Sequence, residues 1–223
     1  MMSFEMMLMI IEYIGTIAFA ISGAIIAIEN RMDILGVMIL GTTTAVGGGI
    51  MRDVIIGRDV PVVFDNPSYL IVAGITTILV FVTFVILKKL DLTRNKIYKL
   101  VIHITDSLGL GVFVVIGATS TLEAGVTNHL LVLFCSVLTA VGGGVLRDIM
   151  AAKIPGIFRK HIYCVVAIFG ALFFYLLLIN APENLHNLIT ICTILLVVIF
   201  RFLAFYFELN LPKVKIEDNK SLQ

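Results

Sequence analysis

Apolar runs separated by short polar clusters organise this chain from end to end. Seven runs reach the roughly 20 residues that a helix needs to cross a bilayer. They are Met6–Ile28, Ile34–Ile56, Ser68–Leu87, Leu100–Thr121, His129–Ala152, Ile162–Asn180 and Leu185–Phe207. The pattern predicts an all-α integral membrane protein of seven transmembrane helices. The spans and their connections use nearly the whole chain, so no soluble domain is expected.

A repeat sits inside that pattern. The stretch TAVGGGIMRD at Thr44–Asp53 returns as TAVGGGVLRD at Thr139–Asp148. The likeness extends on both sides: Glu12 corresponds to Asp106, Gly15 to Gly109, Phe19 to Phe113, Gly23 to Gly117 and Glu29 to Glu123. Downstream, Pro61 corresponds to Pro155, Phe64 to Phe158 and Tyr69 to Tyr163. Residues 1–88 and 100–180 therefore read as two copies of a three-helix unit, joined by a basic linker at 89–99. A seventh helix (181–210) and a polar tail (211–223) follow. Three is odd, so the second copy enters the membrane from the opposite side. Two inverted repeats around a pseudo-two-fold axis in the membrane plane are typical of transport proteins.

Composition agrees. Hydrophobic residues make up 60% of the 223 and charged residues only 14%, against 45–50% apolar in soluble domains. A net charge of +1 suggests no nucleic-acid partner, and membrane lipids are the expected surroundings. No Lys or Arg precedes the first span, which is read as a retained helix rather than a signal peptide. Cys135, Cys164 and Cys192 lack CxxC spacing and are expected to be small core residues. Lys88, Lys89, Arg94, Lys96 and Lys99 mark the linker as cytoplasmic. Alternating from there, Arg31, Lys153, Arg159, Lys160 and the lysines of the tail also fall inside, and only Arg58 falls outside. The expected topology is N-terminus outside, C-terminus cytoplasmic, in the cell membrane.

The candidate chemistry lies in the doubled stretch. Three consecutive glycines weaken a helix and expose its backbone, which hydrocarbon tolerates only against protein or a water-filled cavity. One reading of Gly47, Gly48, Gly49 and Gly142, Gly143, Gly144 is a broken or kinked helix lining a path. The other is tight packing of the second and fifth spans; both can hold. Gly48→Leu is expected to stop flux with folding largely intact. Arg52, Asp53, Arg147 and Asp148 follow at depths where charge is costly and seldom accidental. Adjacent helical residues point about 100° apart, so Arg52 is expected to face Asp148, and Arg147 to face Asp53, across the pseudo-axis. Secondary candidates are Glu12, Asp106, His103 one turn before it, and Arg201, expected to snorkel at the end of its span. Among these intramembrane charges the acids exceed the bases by one, which favours a cation or zwitterion. Carbonyls and N–H groups freed at the glycines would suit a cation or a carboxylate respectively, so channel and carrier both stay open.

No nucleotide-binding G-x-x-x-x-G-K-[ST] loop and no H-E-x-x-H motif is present, and Ser22, Ser107 and Ser136 have no evident base. An enzyme is not expected, nor a bound metal or cofactor beyond a permeant potassium or sodium ion, nor a soluble partner.

The paired GGGxxRD motifs, the Asp106–Phe113 run DSLGLGVF and the closing Arg201…Leu211-Pro212 segment resemble the trimeric intracellular cation (TRIC) channels. The likeness is greatest to the bacterial and archaeal members, whose repeat unit is also described as a glycine-transporter domain. The resemblance spans about residues 6–212. It implies a homotrimer with one potassium-conducting pore per protomer, lined by the second and fifth spans at the glycine and Arg-Asp positions above. The alternative it carries is a secondary transporter of glycine or another small neutral amino acid. Ile50 and Met51 stand where animal members place lipid-binding basic residues, so that kind of lipid regulation is not implied.

Overall fold

The computed structural model describes residues 3–86, 96–158 and 162–207. Most of the basic linker, Arg159, Lys160 and the tail with Leu211-Pro212 lie outside the described residues. The elements are α1 (Phe4–Glu29), α2 (Ile34–Ile55), the single turn α3 (Val62–Asp65), α4 (Ser68–Ile86), α5 (Lys96–Glu123), α6 (His129–Met150), α7 (Tyr163–Asn180) and α8 (His186–Tyr206). Short 3-10 turns occur at Gly156–Phe158 and Glu183–Leu185. All but α3 of these helices, seven in number, are long and apolar enough to cross a membrane. One boundary shifts: α5 begins at Lys96, so the last residues expected in the linker are helical.

The repeat is visible in how helices start and stop. Asp33 caps α2 by accepting from the Gly36 N–H at 2.7 Å, and Asn128, its counterpart, caps α6 from Leu131 at 3.1 Å. Each cap satisfies one of the orphan donors of the first turn. Left-handed residues follow the helices in pairs: Arg31 (φ 59°) with Gly125 (φ 81°), and Gly57 (φ 77°) with Ala152 (φ 53°). The turn is retained even where a Cβ makes it cost about 1 kcal/mol.

Corresponding helices of the two units meet antiparallel. Phe19 of α1 fills the space beside Gly109 of α5, while Phe113 of α5 lies against Gly15 of α1. The two rings stack with centroids 5.1 Å apart. In the same way Gly48 of α2 sits on the Thr139 carbonyl of α6, and Gly143 of α6 on the Thr44 carbonyl of α2. These exchanges, in which rising numbers on one helix meet falling numbers on the other, are what an inverted pair of units produces. Small residues at the crossings suit a bilayer, where backbone approach and van der Waals contact drive helix association.

Around this centre α4 packs on α1 and α2, and α7 on α5 and α6. Helix α8 joins the second unit only at α5 and α7, with a slight touch on α1. Large apolar residues such as Leu79, Leu130, Phe169 and Leu195 cover the outside. The cysteines divide: Cys135 is buried, Cys164 half-buried and Cys192 exposed. Cys192 faces outward on α8 and is not a core residue.

Candidate functional site

Helices α2 and α6 run unbroken through their glycines, so the expected break is absent from both. What the glycines provide is contact. A Cβ on Gly48 would lie 2.2 Å from the Thr139 carbonyl oxygen, and one on Gly143 would lie 2.0 Å from that of Thr44. Gly47 and Gly142 meet the side-chain ends of Leu146 and Met51. Gly49 and Gly144 serve differently, since each turns its open face toward an arginine of its own helix. Gly48→Leu therefore tests packing before it tests a hinge, and it is not expected to leave the fold intact.

The Arg–Asp pairs form within each motif, not across the axis. Arg52 Nε donates to Asp53 Oδ1 at 2.9 Å, and Arg147 Nε donates to Asp148 Oδ1 at the same distance. The inversion itself forbids the expected cross-pairs. With Gly48 level with Thr139, Arg52 falls level with Cys135 and Asp148 level with Ile39. The two motifs then stand roughly 20 Å apart at a rise of about 1.5 Å per residue. A long guanidinium arm folds back to its neighbour despite the 100° divergence at Cα. Double charge reversal of Arg52 and Asp148 is thus expected not to rescue either single reversal, as read by thermal unfolding of the purified protein; rescue would place the pairs together.

Each aspartate has a second task. Asp53 Oδ2 accepts from the Val62 N–H at 2.9 Å, and Asp148 Oδ2 from the Gly156 N–H at 2.8 Å. Both amides directly follow a proline, Pro61 and Pro155, in the loop that folds back toward the helix end.

Beyond these shared features the two clusters diverge. In the first, Glu12 of α1 accepts from Tyr69 of α4 at 2.8 Å, and Arg58 Nε lies 3.6 Å from Asp53. In the second, Arg147 Nη1 reaches Asp106 at 2.7 Å and the Ser22 hydroxyl at 2.5 Å. Arg201 Nη2 lies 3.9 Å from the other Asp106 oxygen, and its guanidinium covers the Tyr163 ring at 4.2 Å. At 4% exposure Arg201 does not snorkel; it points into the protein toward Asp106. His103 stacks on Phe205 with centroids 4.1 Å apart and meets Phe202 edge-on.

Each cluster lines a cavity. The first, about 30 Å³, has room for about one water among Glu12, Arg52, Asp53, Gly49, Tyr69 and Thr139. The second, about 400 Å³, is walled by His103, Asp106, Gly144, Arg147, Asp148 and Arg201, with Glu29 and Lys153 also on its wall. Glu29 and Lys153 are bridged at 2.9 Å. Glu12 and Glu29 are about 25 Å apart along α1 at ~1.5 Å per residue, so the cavities lie toward opposite ends of the bundle. The α2–α6 glycine contact stands between them.

Sequence reasoning brought forward the glycines and the charged pairs but missed Tyr69 and Tyr163, the Val62 and Gly156 amides, and Ser22 as an arginine ligand. The repeat correspondence of Tyr69 with Tyr163 was the available signal for the tyrosines.

The family model described as "Glycine transporter" matches residues 9–84 and 103–179, the two units that carry these clusters. The chain belongs to this glycine-transporter (TRIC) family. The UPF0126 inner membrane protein YadS of Escherichia coli (strain K12) is 32% identical over 94% of this chain and 97% of its own length. A TRIC cation channel solved to explain conductance matches with a TM-score of 0.79 and 35% identity, over 93% of this chain and 97% of that one. The TRIC trimeric intracellular cation channel orthologue from Rhodobacter sphaeroides matches at 0.79 and 27%, covering 91% and 98%. The chain is a multi-pass membrane protein of this family, its seven apolar helices laid out as in those channels.

Proposed function

We propose that the protein conducts monovalent cations, potassium first among them, through a path within each protomer lined by α2 and α6. The observation that carries the reading is the pair of polar cavities toward opposite ends of the bundle, with the glycine contact between them. The buried carboxylates Glu12 and Asp53, which outnumber Arg52 at the smaller cavity, favour a cation over an anion, and the likeness to TRIC cation channels supports the same reading. The path is closed here, since backbone meets backbone at Gly48 and Gly143. Opening requires α2 and α6 to slide or part at that contact while Arg52 and Arg147 keep their aspartates. Three copies assemble, as in the trimeric Rhodobacter sphaeroides channel. The chain lies in the cell membrane with its N-terminus outside and C-terminus in the cytoplasm, as its basic residues favour.

One feature favours a second reading, a carrier of glycine or a similar small amino acid. The cavities are very unequal, about 400 against 30 Å³, which is the shape of a carrier open to one side. Planar-bilayer recording under a potassium gradient separates the two. Discrete currents reversing near the potassium equilibrium potential are expected. Silence in the bilayer, with saturable glycine uptake and counterflow in proteoliposomes, would replace the channel by the carrier.

A further inference from the structure

The unduplicated helix α8 adds one charge that the repeat does not supply. At the first cluster two carboxylates, Glu12 and Asp53, face the guanidinium of Arg52 and keep one negative charge in excess. At the second, the corresponding Asp106 and Asp148 face Arg147 and also Arg201. On the rim Arg58 and Lys153 occupy corresponding positions and each brings one positive charge. Lys153 is paired with Glu29, and the exposed Lys99 adds a further positive charge at the larger cavity, so Arg201 is the buried part of the difference. Tyr69 gives its hydroxyl to Glu12; its counterpart Tyr163 stands beside Asp106 and in addition has the Arg201 guanidinium over its ring.

We propose that Arg201 is a specificity-determining residue: it cancels the spare carboxylate charge of the larger cavity and makes the two ends of the path unequal toward cations. The inference rests on the cation-conducting reading above. Arg201 is buried on the cavity wall, where a charge acts through protein as well as water and is only partly screened. A unit charge at such range changes the local cation concentration by roughly three- to tenfold. The end bearing Arg201 therefore limits cation entry, and current through the wild-type protein rectifies.

The test is unitary current in symmetric KCl for the wild type, Arg201→Gln and Arg201→Lys. Arg201→Gln is expected to raise potassium conductance about threefold or more near 0.1 M salt, to straighten the current–voltage curve, and to shift reversal under a KCl gradient further toward potassium. Arg201→Lys keeps the charge and should behave as the wild type. The gain should collapse at 1 M KCl, where the screening length falls from about 10 to about 3 Å; a merely structural role for Arg201 would not show that salt dependence. Should Arg201→Gln fail to fold, Phe205→Glu sets a carboxylate one turn beyond Arg201 on the same cavity wall and is expected to raise conductance in the same direction. Unchanged conductance and rectification in a folded Arg201→Gln or Phe205→Glu protein overturns the inference and leaves the channel reading in place. A wild type that passes no current but takes up glycine overturns both.

Discussion

Gly143→Ala should destabilise the protein more than a methyl group at any neighbouring glycine of the motif, with Gly48→Ala close behind. The added carbon would sit 2.0 Å from the Thr44 carbonyl oxygen, and at Gly48 2.2 Å from that of Thr139. Both obstacles are backbone, held by their own helices, so neither can rotate away. The helices must separate by about 1 Å or more, at a cost near the upper end of the 1–3 kcal/mol typical of overpacking. Gly47 and Gly142 meet the ends of Leu146 and Met51, which can swing aside, and alanine there should cost less. Gly49→Ala and Gly144→Ala meet nothing nearer than 3.9 and 3.6 Å. They should be neutral or gain up to about 1 kcal/mol in helix propensity. Thermal unfolding in detergent orders the series, and equal stability of Gly143→Ala and Gly144→Ala would refute the contact.

The second large effect is expected at Arg147. Its guanidinium holds Asp106, Asp148 and Ser22 together. Arg147→Met leaves buried carboxylates short of a partner, a loss of about 3–5 kcal/mol for broken buried pairs. Arg52→Met should cost clearly less, since Arg52 is bonded to one carboxylate, Asp53, which keeps the nearby Arg58, whereas Arg147 holds two carboxylates and a hydroxyl. Adding Asp106→Leu to Arg147→Met should recover part of the loss by removing one stranded carboxylate. Equal losses for the two arginine variants, measured by the same unfolding assay, would mean the clusters are not as unequal as their contacts.

The seven spans and the doubled unit were legible because they rest on run length and residue identity, both of which survive without coordinates. The glycine runs were only half legible. A run that weakens a helix and a run that admits a neighbouring backbone are the same three letters, and only the Thr44 and Thr139 carbonyls decide between them. The salt-bridge partners were misjudged for a different reason. Local angles at Cα said that Arg52 and Asp53 diverge, but pairing is settled by side-chain reach and by the antiparallel register, which carries Asp148 away from Arg52. Arg201 looked terminal because its run ends soon after it. Its true position depends on α8 packing against α5 and α7, a tertiary fact that no periodicity reports.

The amides of Val62 and Gly156 have a use beyond holding the two loops. Each is bound to the one aspartate oxygen that its neighbouring arginine leaves open, so its exchange with solvent is tied to the integrity of that ion pair. Lying toward opposite ends of the bundle, the two amides form a pair of native spectroscopic probes, one for each end. Isotope-labelled protein could be followed at these two signals alone, to learn whether its ends loosen together or in turn.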